Sequence, residues 1–408
     1  MPARPEPLPD GAIMVHAGFH KTGTTALQSA FASSRPQLLE AGVLYPGNRR
    51  SHHRAAMVVT KRTWGWEERG GRRTEPKYWG RVARAAQAYE GRVVISSEGF
   101  ALADDDALDR IVDRLGAERL HAVFTLRPMA RLLASSWQQY LKYGLAMRYE
   151  NWLKNVFADP PECPPTPNFW RRNDHVGIMS RWAERLGPDR VTLVVLDEGD
   201  RDYLFRTFEH LLALPSGVLV PDPELSASNR SMTAAEAEML RQVNAGGAKR
   251  WDWPQYEKLV RRGAILRMVE SRTPEPDEEP LGTPEWAIRA AQEVGRQTAE
   301  QVAALGIAVH GDLSSVADPI PAGDPPTDAL RLPVHAAAEA VLGAISGAMA
   351  GKPVAPDSDT AINKLDLPAV QRLSTKEAAD LLKLRLGEAR EWRMAKLRRS
   401  TRAALRRS

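Results

Sequence analysis

The sequence of 408 residues lacks the features that mark several protein classes. Its one cysteine, Cys163, lies among prolines, so the chain can form no internal disulfide and offers no cluster of thiolates for a metal. No run approaches the roughly 20 apolar residues that span a membrane. The proline-rich start has no apolar stretch of the kind found in signal peptides. We therefore expect a cytoplasmic protein.

Positive charge is unevenly distributed along the chain. The net charge is +5, yet residues 385–408 alone carry nine Lys or Arg residues against Glu388 and Glu391. The excess charge therefore belongs to the C-terminal end and says nothing about a binding site elsewhere. A basic helix there could make peripheral contact with an anionic membrane, or it could simply be a solvated end. We expect no specific nucleic-acid partner.

Four short apolar runs predict buried strands. Residues Ala12–Gly18, Arg92–Ser97, Leu120–Leu126 and Arg190–Leu196 are rich in Val, Ile, Leu or Phe, lack polar alternation and are separated by helical stretches. This pattern is typical of a parallel sheet that helices cover on both faces. The sequence thus predicts an α/β fold, a P-loop-like three-layer domain with a central parallel sheet, plus a helical C-terminal extension.

Proline-rich segments divide the chain into regions. We expect a disordered N-terminal tail over residues 1–11 and the α/β domain over residues 12–315. A Pro-rich linker over residues 316–334 and a helical C-terminal extension with a basic end over residues 335–408 are expected to follow.

The segment from Ile13 to Leu27 has the pattern of a phosphate-binding loop. Its apolar run turns at Gly18 into Lys-Thr-Gly-Thr-Thr, residues 21–25, and continues as a helix-forming sequence. Such a turn directs backbone N–H groups and the positive end of a helix dipole to one point beyond the sheet. An ATP-binding loop is disfavoured, because its lysine follows the second glycine, whereas Lys21 precedes the glycine. The alternative is an ordinary Gly/Thr turn before a helix.

A second segment has a similar arrangement further along the chain. The β-rich run His121–Leu126 stops at Arg127-Pro128, and a helical pattern follows from Met129 to Tyr143. An arginine at the end of a strand and Ser135, two turns into the helix, can hold one phosphate from two sides. The alternative places Arg127 in a surface ion pair and packs Ser135 against the sheet.

The two segments together resemble the sulfotransferase superfamily that uses 3′-phosphoadenosine 5′-phosphosulfate (PAPS), over about residues 12–315. The resemblance implies transfer of a sulfuryl group from PAPS to a hydroxyl or amine of a carbohydrate, lipid-linked or small-molecule acceptor. Adenosine 3′,5′-bisphosphate is then the product, and no metal takes part. By the same resemblance, the cofactor-binding residues are His20, Lys21, Thr22, Gly23, Thr24, Thr25, Arg127 and Ser135.

Two catalytic roles follow from this resemblance. Lys21 is placed to meet the negative charge that develops on the bridging oxygen. A base is also needed, and Glu98 ends a strand-like run at the same sheet edge. The histidines at positions 20, 52 and 53 are its rivals, and the superfamily uses either residue type, so the choice stays open. We favour Glu98 because of its position at the end of a strand.

The acceptor is less well defined by the sequence. Lys61–Trp66, with Arg69, Arg72 and Arg73, combines aromatic faces with positive charge, which suits a sugar or an anionic glycan. Packed tryptophans beside solvated arginines are the simpler reading. The helix before Tyr143 could line the acceptor cleft, or could simply face the core.

A second hypothesis has a different functional class. The chain could be a nucleotide-binding P-loop-like protein that acts as a kinase-like phosphotransferase, or a non-catalytic module that binds adenosine bisphosphate.

Overall fold

The computed structural model describes residues 6–158, 168–200, 202–221, 230–247, 250–327 and 331–349. Its strands are β1 (Ile13–His16), β2 (Val43–Leu44), β3 (Thr63–Trp64), β4 (Arg72–Arg73), β5 (Arg92–Ser96), β6 (Leu120–Leu126), β7 (Val191–Val195) and β8 (Ala308–His310). Six of them form one parallel sheet in the order β2-β5-β1-β6-β7-β8, and β3 pairs with β4 as a small antiparallel hairpin.

Helices connect and cover the strands. In chain order they are α1 (Thr24–Ser33), α2 (Arg35–Glu40), α3 (His53–Val59), α4 (Lys77–Ala88), α5 (Asp105–Leu115), α6 (Met129–Leu141), α7 (Tyr149–Val156), α8 (Asn168–Asn173), α9 (His175–Leu186), α10 (Tyr203–Leu211), α11 (Ala234–Gly247), α12 (Trp253–Tyr256), α13 (Leu266–Glu270), α14 (Glu285–Ala303) and α15 (Val334–Met349). A π-helical segment, Glu257–Ile265, joins α12 to α13 without a break.

The sheet is buried on both faces, and this makes the domain three-layered. Along β1, Ile13 and Val15 pack with α3, α4, α5 and α9 on one face. Met14 packs with α1, α2 and α10 on the other face. Since successive side chains of a strand point to opposite faces, a strand between two helical layers has to be apolar throughout. The predicted α/β fold with a central parallel sheet is confirmed.

The four predicted strands are the four central strands of the sheet. The two edge strands were not predicted, because β2 has two residues and β8 has three, too few to show a periodicity. The predicted helix after Pro128 ends at Leu141 rather than at Tyr143.

A third hydrophobic cluster lies beyond the sheet and includes the last described helix. It joins α6, α7, α11, the π-helical segment, α14 and α15. Gly263 and Gly343 allow close backbone contact there, since a Cβ on Gly343 would lie 2.1 Å from the carbonyl oxygen of Gly263. Helix α15, the start of the predicted extension, thus packs as part of this core.

The predicted terminal regions are described only in part. Leu8, within the expected N-terminal tail, is buried, and its N–H donates to the carbonyl of Leu211. Leu332, in the predicted linker, is also buried. Cys163 and the basic end beyond residue 349 lie outside the described residues. Within the described ranges, no helix is both long enough and apolar enough to cross a membrane.

Candidate functional site

A cavity of about 690 Å³ lies beyond the carboxyl ends of the central strands. Strand β1 pairs with β5 and β6 in parallel, so the segments that follow His16, Ser96 and Leu126 leave the sheet at one edge. Ligands of open α/β sheets bind at this edge. The cavity is lined there by the loop before α1, by Glu98 and by residues of α6.

The loop before α1 has an unusual backbone. Gly18, Lys21 and Gly23 all have positive φ, at 47°, 68° and 78°. Gly18 has to be glycine, because a Cβ there would lie 2.4 Å from Cγ2 of Thr24. Gly23 is the N-cap of α1 and has no side chain to cap it, and the first turn has no acidic residue. The N–H groups at the start of α1 are therefore left for an anion.

The predicted loop residues divide into two groups. His20, Lys21, Gly23, Thr24 and Thr25 line the cavity, as expected for phosphate ligands. Thr22 points the other way and is buried. Its hydroxyl donates to the carbonyl of Phe19 at 2.7 Å and pairs with the hydroxyl of Thr125 at 2.6 Å. The geometry gives Thr22 a structural role that ties the loop to β6.

The second predicted phosphate site is only partly assembled. Ser135 lines the cavity, but Arg127 does not. Glu198 accepts two hydrogen bonds from Arg127, at 3.0 and 2.9 Å, and the arginine also donates to the carbonyl of Lys21 at 3.2 Å. Arg127 is thus in the ion pair that was the alternative reading, and in this arrangement it supports the loop backbone at Lys21.

Seven cationic side chains line the cavity, and Glu98 is the one carboxylate among its described lining residues. Five of the seven, all arginines, were not predicted from the sequence as ligands. The seven are Lys21, Arg50, Lys142, Arg172, Arg230, Arg261 and Arg262. Arg230 pairs with Glu236, and Arg261 and Arg262 pair with Glu257. The other four, Lys21, Arg50, Lys142 and Arg172, have no carboxylate within ion-pair distance among the described residues, and their charge in a partly enclosed space is suited to a ligand with several negative charges.

Most of the added cations could not be recognised from the sequence. Arg172 lies in the short helix α8, and Arg261 and Arg262 lie on the π-helical segment. Their distances along the chain from Lys21 carry no pattern. Lys142 had a signal, because it lies just before Tyr143 in the predicted helix that could line the acceptor cleft, and the structure places it at the cavity wall. π-Helical turns are frequent at functional sites, but they are not visible in a sequence.

Burial lowers the pKa of both lysines in the cavity. Burial lowers the pKa of Lys21, while the charge of Glu98 acts in the opposite direction. Burial lowers the pKa of Lys142 to about 8, and the charges of Lys21, Arg261 and Arg230 add to this effect. An anion bound in the cavity would stabilise both ammonium groups.

Anion binding should therefore depend on pH through Lys142. Its positive charge is present below a pH of about 8 and is lost as the pH rises above that value. From about pH 7 to about pH 9, we expect affinity for adenosine 3′,5′-bisphosphate to fall by up to about tenfold more in the wild type than in Lys142→Met. Titration calorimetry at each pH measures this difference. Equal pH slopes in the two proteins would show that Lys142 does not contact the anion.

The four candidate bases have different surroundings. Glu98 lines the cavity, and its Oε2 accepts a hydrogen bond of 3.4 Å from the amide of Gln28. His20 also lines the cavity, and burial lowers its pKa well below the usual value. His52 is fully engaged, because the Ser96 N–H donates to its Nδ1 at 3.0 Å and its Nε2 lies 2.9 Å from the carbonyl of Pro46.

His53 lies outside the cavity and lines an adjoining groove. Its two ring nitrogens are buried and have no hydrogen-bond partner among the described residues. Burial lowers its pKa, and the charge of Glu98 acts in the opposite direction. Of the four candidate bases, Glu98 and His20 line the cavity. His52 is disfavoured as the base, because both of its ring nitrogens are already hydrogen-bonded.

The two tryptophans singled out in the sequence, Trp64 and Trp66, both pack against Trp253 of α12. Trp253 is fully buried and contacts Trp66 edge to face, with ring centroids 5.4 Å apart. Arg69 lies over the ring of Trp66 at 4.2 Å. In the described part of the chain, no group of three or more His, Cys, Asp or Glu side chains could hold a metal ion.

Comparison with known proteins found a similar solved structure but no matching family model or curated protein. No protein-family model and no curated protein matches the chain. Among solved structures, the chain is similar to a sulfotransferase from Alicyclobacillus acidocaldarius, with 16% sequence identity and a TM-score of 0.36. The likeness covers 60% of this chain and 98% of that chain. At this level it carries no weight for function, which has to be argued from the residues of the cavity.

Proposed function

We propose that the protein is a sulfotransferase that moves a sulfuryl group from PAPS to an acceptor hydroxyl or amine. The observation that carries the proposal is the composition of the cavity. Four cations that have no ion-pair partner among the described residues, three ion-paired arginines and one carboxylate line a space that contains an uncapped helix N-terminus at the edge of a parallel sheet. A volume of about 690 Å³ lies in the usual range of small-ligand sites, about 300–1,000 Å³.

The cavity residues fit the two charged ends of PAPS. The 5′-phosphosulfate is assigned to the N–H groups at the start of α1, to the hydroxyls of Thr24 and Thr25 and to Lys21. The 3′-phosphate is assigned to the wall formed by Ser135, with Arg230 nearby in the same lining. Arg127 can join this group only if its ion pair with Glu198 opens, because both carboxylate oxygens of Glu198 accept hydrogen bonds from its guanidinium.

The reaction needs a proton acceptor and a positive charge at opposite ends of the transferred group. Glu98 takes the proton of the acceptor while the acceptor oxygen or nitrogen bonds to sulfur. The bond from sulfur to the bridging oxygen breaks, and adenosine 3′,5′-bisphosphate leaves with the electron pair. Lys21, whose Nζ donates to Gln139 at 3.4 Å, stabilises the charge that develops on that oxygen.

A ligand-binding experiment tests which nucleotide the cavity binds. At about 100 times its Kd, a ligand stabilises the folded chain by about 2.7 kcal/mol. We therefore expect a clear rise in Tm with adenosine 3′,5′-bisphosphate in a thermal-shift assay, and a much smaller rise with 5′-AMP or ATP at the same concentration. An equal response, or a preference for ATP, would remove the proposal and favour a phosphotransferase. Binding of the bisphosphate without any turnover of PAPS would favour a non-catalytic module.

A further inference from the structure

A second cavity continues from the candidate site. It has a volume of about 1,440 Å³, and Arg50, Arg262 and Leu266 line both spaces. We call this second space the arginine groove. It exceeds the range of about 300–1,000 Å³ that is usual for small-ligand pockets, so it is larger than a small acceptor requires. His53 lines it close to Glu98, so the groove approaches the candidate base.

One wall of the arginine groove is strongly basic. It is formed by the segment before α3, by α3 and by the β3–β4 hairpin, and its arginines are all exposed. Among the described residues, only Arg73 of this group has a carboxylate within ion-pair distance, Glu67 at 3.8 Å. The five arginines are Arg49, Arg50, Arg54, Arg72 and Arg73. Their charge is therefore available to a ligand.

The opposite wall is mixed in charge. Its cations are largely neutralised, because Arg262 contacts Glu257 at 3.2 Å and Arg267 contacts the buried Glu339 at 2.7 Å. The groove as a whole is lined by eight Lys or Arg side chains and four carboxylates. The positive charge that is not neutralised by an ion pair thus lies mainly on the arginine wall. Carboxylates that can accept hydrogen bonds lie both beside these arginines and on the opposite wall.

Two aromatic rings, Trp64 and Tyr78, also line the groove. Arg54 lies over the ring of Tyr78 at 4.8 Å, and Arg261 lies over the ring of Trp64 at 4.9 Å. The Trp64 indole N–H donates to Glu257 at 2.9 Å, which fixes the ring at the wall. Rigid aromatic side chains supply contact area for the apolar faces of a flat ligand without a large loss of entropy.

We propose that the arginine groove binds an acidic oligosaccharide and that this oligosaccharide is the acceptor of the sulfuryl group. The acceptor role rests on the proposed sulfotransferase function. Carboxylates or other anionic groups of the oligosaccharide contact the arginine wall. Its hydroxyls donate to the groove carboxylates, and its ring faces pack on Tyr78 and Trp64. An acidic peptide fits less well, since it has few hydroxyl groups that could donate to the four groove carboxylates.

Direct binding to the full chain tests the ligand class. The probes are fluorescent oligosaccharides of equal length, one alternating glucuronate with N-acetylglucosamine and the other made of neutral N-acetylglucosamine, and an oligoglutamate peptide. We expect the acidic sugar to bind about tenfold more tightly than the neutral one. This preference should shrink as the ionic strength rises. Equal affinity for the two sugars, or tighter binding of the peptide, would overturn the inference.

A pair of charge-neutralising variants locates the binding. Arg72→Gln with Arg73→Gln should weaken binding of the acidic sugar by about tenfold. The control, Arg81→Gln with Arg84→Gln, removes two exposed arginines of α4 that line neither cavity and should leave the affinity nearly unchanged. An equal loss in both double variants would show that only net charge matters and would also overturn the inference.

The same samples separate this inference from the proposed function. Both double variants should bind adenosine 3′,5′-bisphosphate as the wild type does, because none of the four arginines lines the nucleotide cavity. If the wild type binds the bisphosphate but shows no preference for the acidic sugar, the groove assignment is wrong and the sulfotransferase proposal stands. If the sugar preference holds but the bisphosphate does not bind, the groove keeps its ligand and loses its role in sulfotransfer.

Discussion

Replacing Lys21 by alanine should lower turnover by about 10²–10³-fold, because the variant loses the charge that meets the developing negative charge on the leaving oxygen. Affinity for adenosine 3′,5′-bisphosphate should fall far less, since the N–H groups at the start of α1 and the other cavity cations remain. The measurement is single-turnover transfer of labelled sulfate from PAPS to an acceptor pool from a cell extract, together with calorimetric binding of the bisphosphate.

Two controls show whether the loss comes from charge or from folding. Lys21 has φ of 68°, a left-handed conformation that glycine adopts without strain, so Lys21→Gly should fold about as well as the wild type and be equally inactive. Lys154→Ala removes an exposed lysine that pairs with Glu150 at 2.8 Å on α7, and it should retain full turnover. Normal turnover in either Lys21 variant would show that this lysine does not act on the reacting group.

The second large effect is expected at Glu98. Glu98→Gln removes the proton acceptor and should lower turnover by about 10²–10⁴-fold. The fold should be preserved, because a glutamine keeps the size of the side chain and can still pair with Gln28. Since the change removes negative charge from a cationic cavity, the bisphosphate should bind at least as tightly as before. Loss of turnover without loss of affinity is the signature of a missing base.

His20 and His53 provide the comparison for Glu98. His20 lines the same cavity as Glu98, and His53 is close enough to interact with the Glu98 charge. We expect His20→Gln and His53→Gln each to reduce turnover much less than Glu98→Gln does. A loss in His20→Gln that equals or exceeds the loss in Glu98→Gln would assign the base to His20. Weaker bisphosphate binding in Glu98→Gln would instead indicate that the carboxylate supports the loop.

The chain's local patterns predicted the central strands of the sheet and the glycine turn between β1 and α1 well. The central strands could be predicted because burial on both faces demands continuous apolar runs, and such runs are visible in the sequence. The turn could be predicted because a short glycine-containing connection between a buried strand and a helix allows few backbone conformations, and glycine readily adopts those with positive φ. The edge strands escaped prediction, as two or three residues carry no periodicity.

Individual side chains of the two motifs were harder to predict. Thr22 has the same residue type as Thr24 and Thr25, yet it is directed at Phe19 and Thr125 instead of at the cavity. The Arg127 guanidinium contacts Glu198, which lies 71 residues away in sequence. Each side chain's direction depends on a partner from another strand or loop, so the motif alone could not decide which members face the ligand.

The sequence by itself determined the parallel sheet, the loop that ends β1 and the presence of Lys21 and Glu98 at one sheet edge, because these depend on hydrophobic runs and turns that are local in the chain. Only the tertiary structure decided that Arg172, Arg230 and Arg261 join them around one cavity. Arg172 and Arg261 lie on helical segments and Arg230 lies on the segment before α11. The positions of these segments are fixed by packing between distant parts of the chain, and no local spacing records which residues end up on the same side of a cavity.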